Sequence, residues 1–210
     1  MEIEFKPFTP RLQLVDAKTR EILTGLPNNL FYHVTDHTLN PFIGVVAMAH
    51  NYASLVDLPS EQRELVVVSA YLHDTGYTIK YKNNELEGSV IAGDILPACN
   101  FTKGEIAVVQ KTIISAGAKE KPRNMLEMIL SDADHDNIGR ADFFEKNKLL
   151  FKELCVHGIF DYTEECKKEW LNQSLYFLCE TPFYTTGANQ LRGLGKLRNI
   201  RKLSYLLRNS

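Results

Sequence analysis

Three short segments of the chain concentrate side chains that can bind a metal ion or move a proton. YHVTDH (32–37) holds two histidines, LHDTGY (72–77) holds an adjacent His-Asp pair, and SDADHD (131–136) holds three aspartates. Imidazole nitrogens and carboxylate oxygens together suit a divalent ion such as Mn, Fe, Co, Ni or Zn. A set of two histidines and two aspartates also leaves coordination positions open for water and substrate.

Each segment also has an ordinary structural explanation, since a His-Asp dipeptide often caps a helix and clustered aspartates often form a solvated turn. Consecutive helical side chains diverge by about 100°, so His73 and Asp74 can reach one ion only at a helix end, which Gly76 provides. The third segment follows an apolar run at 125–130, so at least one of its carboxylates needs a charge partner in the interior. His33 and His37, four residues apart, are expected on one helix face.

The elements that must position these segments are helices. Turn and capping residues predict a first helix that begins at Pro10 and ends by Gly25, and further helices at 34–53 (bent near Pro41), 60–75, 85–98, 102–116, 122–136, 142–157, 163–181 and 188–207. Thr102 and Glu105 have the spacing of a capping box. No alternating run of strand length occurs. We therefore expect one all-α domain over 1–210, with a core at about 30–145 and a helical extension at about 146–210.

Composition narrows the class of protein. The 210 residues are 44% hydrophobic and carry 24 Lys and Arg against 26 Asp and Glu. The net charge of −2 argues against generic duplex DNA as a partner, and the longest apolar stretches are under half of a membrane span. Four cysteines without a CxxC pair, and a first segment without a leader pattern, favour a reduced cytoplasmic protein. A homo-oligomer is left open.

The order of these motifs resembles the HD-domain superfamily of metal-dependent phosphohydrolases, whose ligand pattern is H, HD, D. YHVTDH resembles the first histidine segment of members near the cyclic-nucleotide phosphodiesterases, and LHDTGY resembles the family's HD turn. LSDADHDNIGR resembles the segment that ends the core. The later pieces FFEKNKLLFKEL, QSLYFL and YTTGANQLR look like a group of small bacterial HD proteins. The resemblance spans about 30–145 and implies an HD-like helical bundle.

The resemblance also implies roles for individual residues. One divalent ion, with Mg added to the candidates above, would be held by His37, His73, Asp74 and Asp134. Asp132 would contact the ligand residues without binding the ion, although the choice between Asp132 and Asp134 as ligand stays open. His33 matches the residue that protonates the leaving oxygen, and Asp74 takes part in catalysis as well as in binding the ion. The family's Asn after that histidine is Val34 here, which departs from the phosphodiesterase pattern.

Two further sets of residues have weaker candidate roles. No histidine lies between Asp74 and Asp134, so a second metal would need Glu85 or Glu87, and one ion is favoured. Cationic side chains on predicted loops and on the basic C-terminal helix are candidates for binding substrate phosphate, although each has a solvated surface position as its simpler explanation: Lys80, Lys119, Arg123 and Arg192.

The resemblance therefore implies a metal-dependent phosphohydrolase. The substrate that the resemblance implies is a small-molecule phosphate monoester or diester, in particular a nucleotide, attacked by metal-activated water. The alternative is a non-catalytic HD-fold module that senses a nucleotide or a metal.

Overall fold

The computed structural model describes residues 5–117 and 121–209, and over these residues the chain is all-helical with no β-strand, which confirms the predicted fold class. The helices are α1 (Pro10–Leu23), α2 (Thr35–Leu39), α3 (Val45–Leu55), α4 (Ser60–Leu72), α5 (Asn84–Ile95), α6 (Lys103–Ala116), α7 (Met125–Asp134), α8 (Phe143–Val156), α9 (Glu164–Glu180) and α10 (Thr186–Arg208). Short 3-10 turns follow α4, α5 and α7 at Thr75–Thr78, Leu96–Cys99 and Asp136–Gly139.

Local capping explains where several helices begin. The Thr9 hydroxyl accepts from the backbone N–H of Leu12 and opens α1, with Pro10 in the first helical position. Thr102 and Glu105 form the predicted capping box at the start of α6. These caps depend on neighbours three residues away, so the sequence alone is sufficient to predict them.

The single helix predicted at 34–53 is wrong, because the chain breaks between α2 and α3. Asn40 leaves the helical conformation, and its side-chain oxygen accepts from the backbone N–H groups of Phe42 and Ile43. Gly44 packs closely against this turn, since a Cβ atom there would lie 2.6 Å from the Asn40 nitrogen. Pro41 therefore belongs to a tight turn and does not bend a continuous helix.

The main core lies among α1, α3, α4, α6 and α7, with large buried side chains such as Tyr52, Tyr71 and Ile129. A smaller core joins the 136–139 turn to α8, α9 and α10 through Ile138, Phe143, Leu178 and Leu203. Phe183 packs against both. The C-terminal helices are thus joined to the main core by apolar contacts.

Helix α10 crosses the 136–139 turn at close range. A Cβ atom on Gly195 would lie 1.9 Å from the carbonyl oxygen of Gly139, so no other residue fits there without moving one of the two backbones. The Asn199 side chain donates to the carbonyl oxygens of Ile138 and Arg140, both at 2.9 Å. This crossing fixes the segment that carries the three aspartates.

Within the two described stretches, every helix is too short or too polar to cross a lipid bilayer.

Candidate metal centre

Four side chains bring one atom each into a small ring, here called the ligand ring: His37, His73, Asp74 and Asp134. The Nε2 atom of His37 lies 3.0 Å from Oδ1 of Asp134 and 3.6 Å from Oδ2 of Asp74. The Nε2 atom of His73 lies 3.2 Å from Oδ2 of Asp74 and 3.6 Å from Oδ1 of Asp134. The ligand atoms of His37, His73 and Asp74 all lie within 4.8 Å of one another, and Asp134 joins this group through both histidines. The structure thus brings the four predicted ligand residues together.

The end of α4 explains how two consecutive residues reach the same point. His73 follows the last residue of α4 with φ −57° and ψ −39°, and Asp74, with φ −97° and ψ 0°, opens the 3-10 turn Thr75–Thr78. Gly76 then lets the chain pass so close to α5 that a Cβ atom there would lie 1.8 Å from the carbonyl oxygen of Asn84. As the sequence predicted, the side chains of His73 and Asp74 can both reach the ligand ring because they lie at a helix end beside a glycine.

The His73 imidazole is held with one nitrogen facing the ring. Its Nδ1–H donates to the carbonyl oxygen of Ala70 at 2.8 Å, so Nε2 is the nitrogen that faces the ring, where a bound metal ion would take the place of its proton. The Nε2 atom of His73 and the Oδ2 atom of Asp74 are buried without a hydrogen-bond partner in the described part of the chain. A buried polar atom left without a partner costs about 1–3 kcal/mol. The ring therefore suits a further group that these side chains do not supply.

Charge in the ligand ring favours a cation. Burial opposes the charged form of His73, but the carboxylates of Asp74 and Asp134 outweigh it and raise the pKa of His73 well above its usual value. Burial likewise opposes ionisation of Asp134, but the hydrogen bond from His37 and the charge of His73 keep the pKa of Asp134 well below its usual range. The pKa of Asp74 is lowered against burial, chiefly by His73. The two carboxylates attract positive charge to this point.

The dimensions of the ring match those around a divalent ion. Bonds from a metal to histidine nitrogen or carboxylate oxygen measure about 2.0–2.2 Å, so neighbouring ligand atoms of an octahedral or tetrahedral ion lie about 2.8–3.6 Å apart. The separations around the ring are 3.0, 3.2, 3.6 and 3.6 Å. These residues therefore fit one divalent ion with nitrogen and oxygen ligands.

His33 lies beside the ligand ring and outside it. It precedes α2, so the expectation that it shares a helix face with His37 is wrong, yet the two imidazoles meet edge to face with 5.7 Å between centroids. Its Nδ1 atom lies 2.5 Å from Oε1 of Glu153. Because Nδ1 is engaged, Nε2 is the nitrogen that can donate to a substrate. The position suits a proton donor.

Glu153 of α8 is a site residue that the sequence did not identify. Its Oε2 atom accepts from the backbone N–H groups of Phe31, Tyr32 and His33 at 2.7, 2.8 and 3.2 Å. Its Oε1 atom also accepts from the Tyr81 hydroxyl at 3.2 Å. Glu153 thus fixes both the ring of His33 and the segment that carries it.

The pairing changes the acidity of both partners. Burial opposes ionisation of Glu153, but the hydrogen bond and charge of His33 and the backbone donors outweigh it and lower the pKa of Glu153 to about 2. Burial also opposes the charge on His33, and Glu153 and Asp74 outweigh it, so the pKa of His33 is raised. No local pattern distinguishes Glu153 from the exposed Glu145 of the same helix, because its partners come from a distant part of the chain.

Asp132 does not support the metal ligands as predicted, because its carboxylate anchors α10. Oδ1 accepts from the backbone N–H of Tyr184 at 2.8 Å, and Oδ2 accepts from the backbone N–H and hydroxyl of Thr185 at 2.8 and 2.7 Å. Thr185 in turn caps α10 by accepting from the Ala188 N–H. The side chain that points toward the histidines is Asp134.

The predicted phosphate contact of Arg192 is corrected in the same way. Its Nε atom donates to Oδ1 of Asp136 at 2.7 Å, and the Tyr52 hydroxyl donates to the same oxygen. Arg140 approaches the other oxygen of Asp136 at 3.5 Å. Arg192 therefore neutralises a buried carboxylate beneath α10.

The other residues predicted to bind phosphate lie at the surface or outside the residues that the structure describes. Lys80 forms an ion pair with Glu87. The charge of Glu87 is therefore balanced by a lysine and does not require a second metal ion. The backbone N–H of Arg123 donates to Glu127. Lys119 lies outside the described residues. None of these contacts places a cation at the ligand ring.

Two cavities adjoin the ring and share Tyr32, Asp134 and Asn137 in their walls. The first, of about 10 Å³, is close to the size of one water molecule and is lined also by His37, Arg140 and Lys146, among others. The second, the aromatic cavity, has about 160 Å³ and reaches from His33 to α8 and α9. Its wall residues are Tyr32, His33, Asp134, His135, Asn137, Ile138, Phe143, Asn147, Leu150, Trp170, Ser174 and Phe177.

Lys146 is the cation best placed near the ring. Its side chain is half-buried in the wall of the water-sized cavity, and its charge acts on Asp142, whose two oxygens are bonded to Arg140. Arg140, by contrast, is held by both oxygens of Asp142, at 2.8 and 2.6 Å. Lys146 can therefore face an anion.

Comparison of the chain with protein-family models, curated proteins and solved structures finds no match.

Proposed function

We propose that this protein is a metal-dependent phosphohydrolase that binds one divalent ion at the ligand ring. The observation that carries the proposal is the ring itself, with four nitrogen and oxygen atoms at metal-site spacing and two buried atoms without partners. The motif order that resembles the HD superfamily supports the same function. A phosphate monoester or diester, nucleotides among them, is the proposed substrate class.

His37, His73, Asp74 and Asp134 would hold the ion. When bound, a divalent ion polarises a phosphoryl oxygen and lowers the pKa of water, so that hydroxide becomes available near pH 7. The Ala70 carbonyl keeps Nε2 of His73 directed at the ring through the bond to Nδ1. The Lys146 ammonium, on the wall of the adjoining cavity, offsets the negative charge of the phosphoryl group.

His33 acts on the other side of the reaction as the general acid. Glu153 keeps it protonated by raising its pKa and leaves Nε2 free to donate to the departing alcohol oxygen. The bonds from Glu153 to the backbone at 31–33 hold that proton in place while substrate binds. Proton transfer of this kind contributes about 10²–10⁴ to the rate.

We also propose a cytoplasmic location. The four cysteines are unpaired in the structure, as in a reducing compartment, and their burial ranges from the buried Cys99 to the exposed Cys179.

The test begins with metal analysis of the purified protein and a panel of nucleoside monophosphates, cyclic nucleotides and an aryl phosphodiester, each with Mn, Fe, Co, Ni, Zn or Mg added. His33→Asn is then compared with His50→Asn, because His50 packs on Phe5 and Phe8 instead of the ligand ring. We expect only the His33 variant to lose about 10²–10⁴ in turnover while it retains metal.

The loss should depend on the leaving group. A nitrophenyl ester, whose departing oxygen needs no proton, should lose much less than an alkyl or ribose ester. Equal losses on both esters would mean that His33 positions other groups instead of donating a proton. A metal-loaded protein that hydrolyses no phosphoester would be a binding module instead.

A further inference from the structure

The aromatic cavity opens beside the proton donor and the ligand ring, so it lies where the organic part of a phosphoester would be. His33 and Asp134 line its inner end. Its outer walls come from α8 and α9, with the rings of Phe143, Trp170 and Phe177 among them. Phe177 contacts the His135 ring edge to face, with 5.2 Å between centroids. These walls favour a flat apolar group.

The volume limits the size of that group. Pockets for drug-sized ligands measure about 300–1,000 Å³, whereas an apolar cavity of about 150 Å³ accommodates benzene. At about 160 Å³, the aromatic cavity fits one six-membered ring. It is too small to enclose a purine nucleoside.

Two amide side chains give the cavity polar character. Asn147 is buried, and its carbonyl oxygen accepts from the Ser174 hydroxyl at 3.1 Å, so that its NH₂ group remains without a partner in the described residues. The Asn137 side chain, between the two cavities, likewise makes no hydrogen bond within the described stretches. The indole N–H of Trp170 donates to the Asn147 backbone carbonyl oxygen at 3.2 Å, so the two amide groups are the donors left to the cavity on this side. The free amide groups can donate to an acceptor on the bound ring.

We propose that the aromatic cavity binds a single six-membered ring of the phosphoester substrate, with the amide groups donating to an acceptor where the ring carries one. The inference rests on the proposed function for the phosphate end, since the ligand ring and Lys146 would hold that end. The ring would lie between Trp170 and Phe177, with its ester oxygen toward His33. Substrates with a fused two-ring group or no ring are disfavoured.

Trp170 provides a direct measure of binding, because it is the only tryptophan in the chain. We would titrate the metal-loaded full-length protein with phenyl phosphate, a pyrimidine nucleoside monophosphate, a purine nucleoside monophosphate and inorganic phosphate. Tryptophan emission reports occupancy of the cavity, and product release reports turnover. The two measurements are independent.

Phe177→Ala removes one wall, and Tyr176→Ala is its matched control. Phe177 is 41% exposed and Tyr176 is 70% exposed, so neither change empties the core, and Tyr176 does not line the cavity. Stacking on one aromatic side chain corresponds to about tenfold or more in affinity. We expect the dissociation constant for phenyl phosphate to rise about tenfold in Phe177→Ala and to stay unchanged in Tyr176→Ala.

The outcomes separate this inference from the proposed function. Saturable emission changes with one-ring compounds, but not with inorganic phosphate, support the cavity even if no ester is hydrolysed. Hydrolysis with no emission change, or with equal KM values in the two variants, overturns the cavity assignment and leaves the hydrolase. Tighter binding of the purine compound than of both one-ring compounds also overturns it.

Discussion

Asp132, Asp134 and Asp136 alternate along one short stretch of chain, and their carboxylates have different surroundings. Asp132 and Asp136 are buried beneath α10, and each carboxylate oxygen faces donors from α10 or its neighbours. Asp134, between them, faces the ligand ring, where Nε2 of His73 and Oδ2 of Asp74 have no hydrogen-bond partner within the described ranges. Both the contact beneath α10 and the ligand ring contain buried aspartates. Every carboxylate oxygen has a partner only in the contact beneath α10.

This difference indicates which buried acids hold the fold and which can act on a ligand. A buried carboxylate whose two oxygens both accept hydrogen bonds is stabilised in the folded protein. Its removal leaves those donors without partners and lowers the free energy of unfolding. The acids of the ligand ring repel each other and have room for a cation, so their removal costs ligand binding. Mutations in the two regions should therefore affect different measurements.

The largest expected effect is on metal binding. Asp74→Ala should weaken binding of the divalent ion by more than about a hundredfold, because even residues that only support a ligand are worth about 10–100-fold. Metal content after dialysis, measured by mass spectrometry, checks this, with circular dichroism to confirm an unchanged helical fold. Unchanged metal content would remove Asp74 from the ligands, and outright unfolding would mean that the ion is structural.

The opposite pattern is expected for Asp132→Ala. The change leaves the backbone N–H groups of Tyr184 and Thr185 without partners, which should cost about 3 kcal/mol in free energy of unfolding, while metal content is retained. Urea denaturation with a parallel metal assay measures both quantities. If this variant loses metal at unchanged stability, the distinction between the two regions fails.

The pair of His33 and Glu153 predicts a pH dependence. The pKa of Glu153 is lowered from 4.5 to about 2. The free energy of unfolding that its charge contributes is therefore fully present above about pH 4.5 and is lost as the pH falls toward 2. The pKa of His33 is raised on folding. The stability that its charged imidazole contributes is therefore fully present below pH 6.5 and is lost as the pH rises through the pKa of His33 in the folded protein. Glu153→Gln should therefore be less stable than the unmutated protein by up to about 3 kcal/mol near pH 5–6.

That difference should close toward pH 2. Urea unfolding of both proteins at several pH values measures it, and the other carboxylates cancel because both proteins contain them. A difference that is constant over this pH range would contradict the ion pair.

The smallest effect concerns the surface cations. Lys146→Met should raise KM for a phosphate monoester by about two- to fivefold, the range expected of a partly exposed charge, whereas Lys80→Met should leave it within twofold. Lys80 is the matched control because its ammonium already pairs with Glu87. Steady-state kinetics at low salt compares them, and equal KM values would remove Lys146 from the site.

Local interactions account for what the sequence could predict. The all-α class, the capping box at Thr102 and the shared direction of His73 and Asp74 depend on residues close together in the chain. The break at Asn40 was missed because one side chain capping its own turn decides between a bent helix and two helices. Glu153 and Arg192 could not be assigned, because their partners lie 120 and 56 residues away and only packing brings them together.

The bonds from Glu153 to the backbone at 31–33 have a consequence for the order of folding events. They close a loop of about 120 residues, and contacts of such long range form slowly because chain entropy opposes them until the intervening helices have packed. His33 should acquire its fixed orientation late in folding and lose it early when the protein is stressed. Under the proposed function, hydrolysis should therefore be lost at a lower urea concentration than the helical signal is.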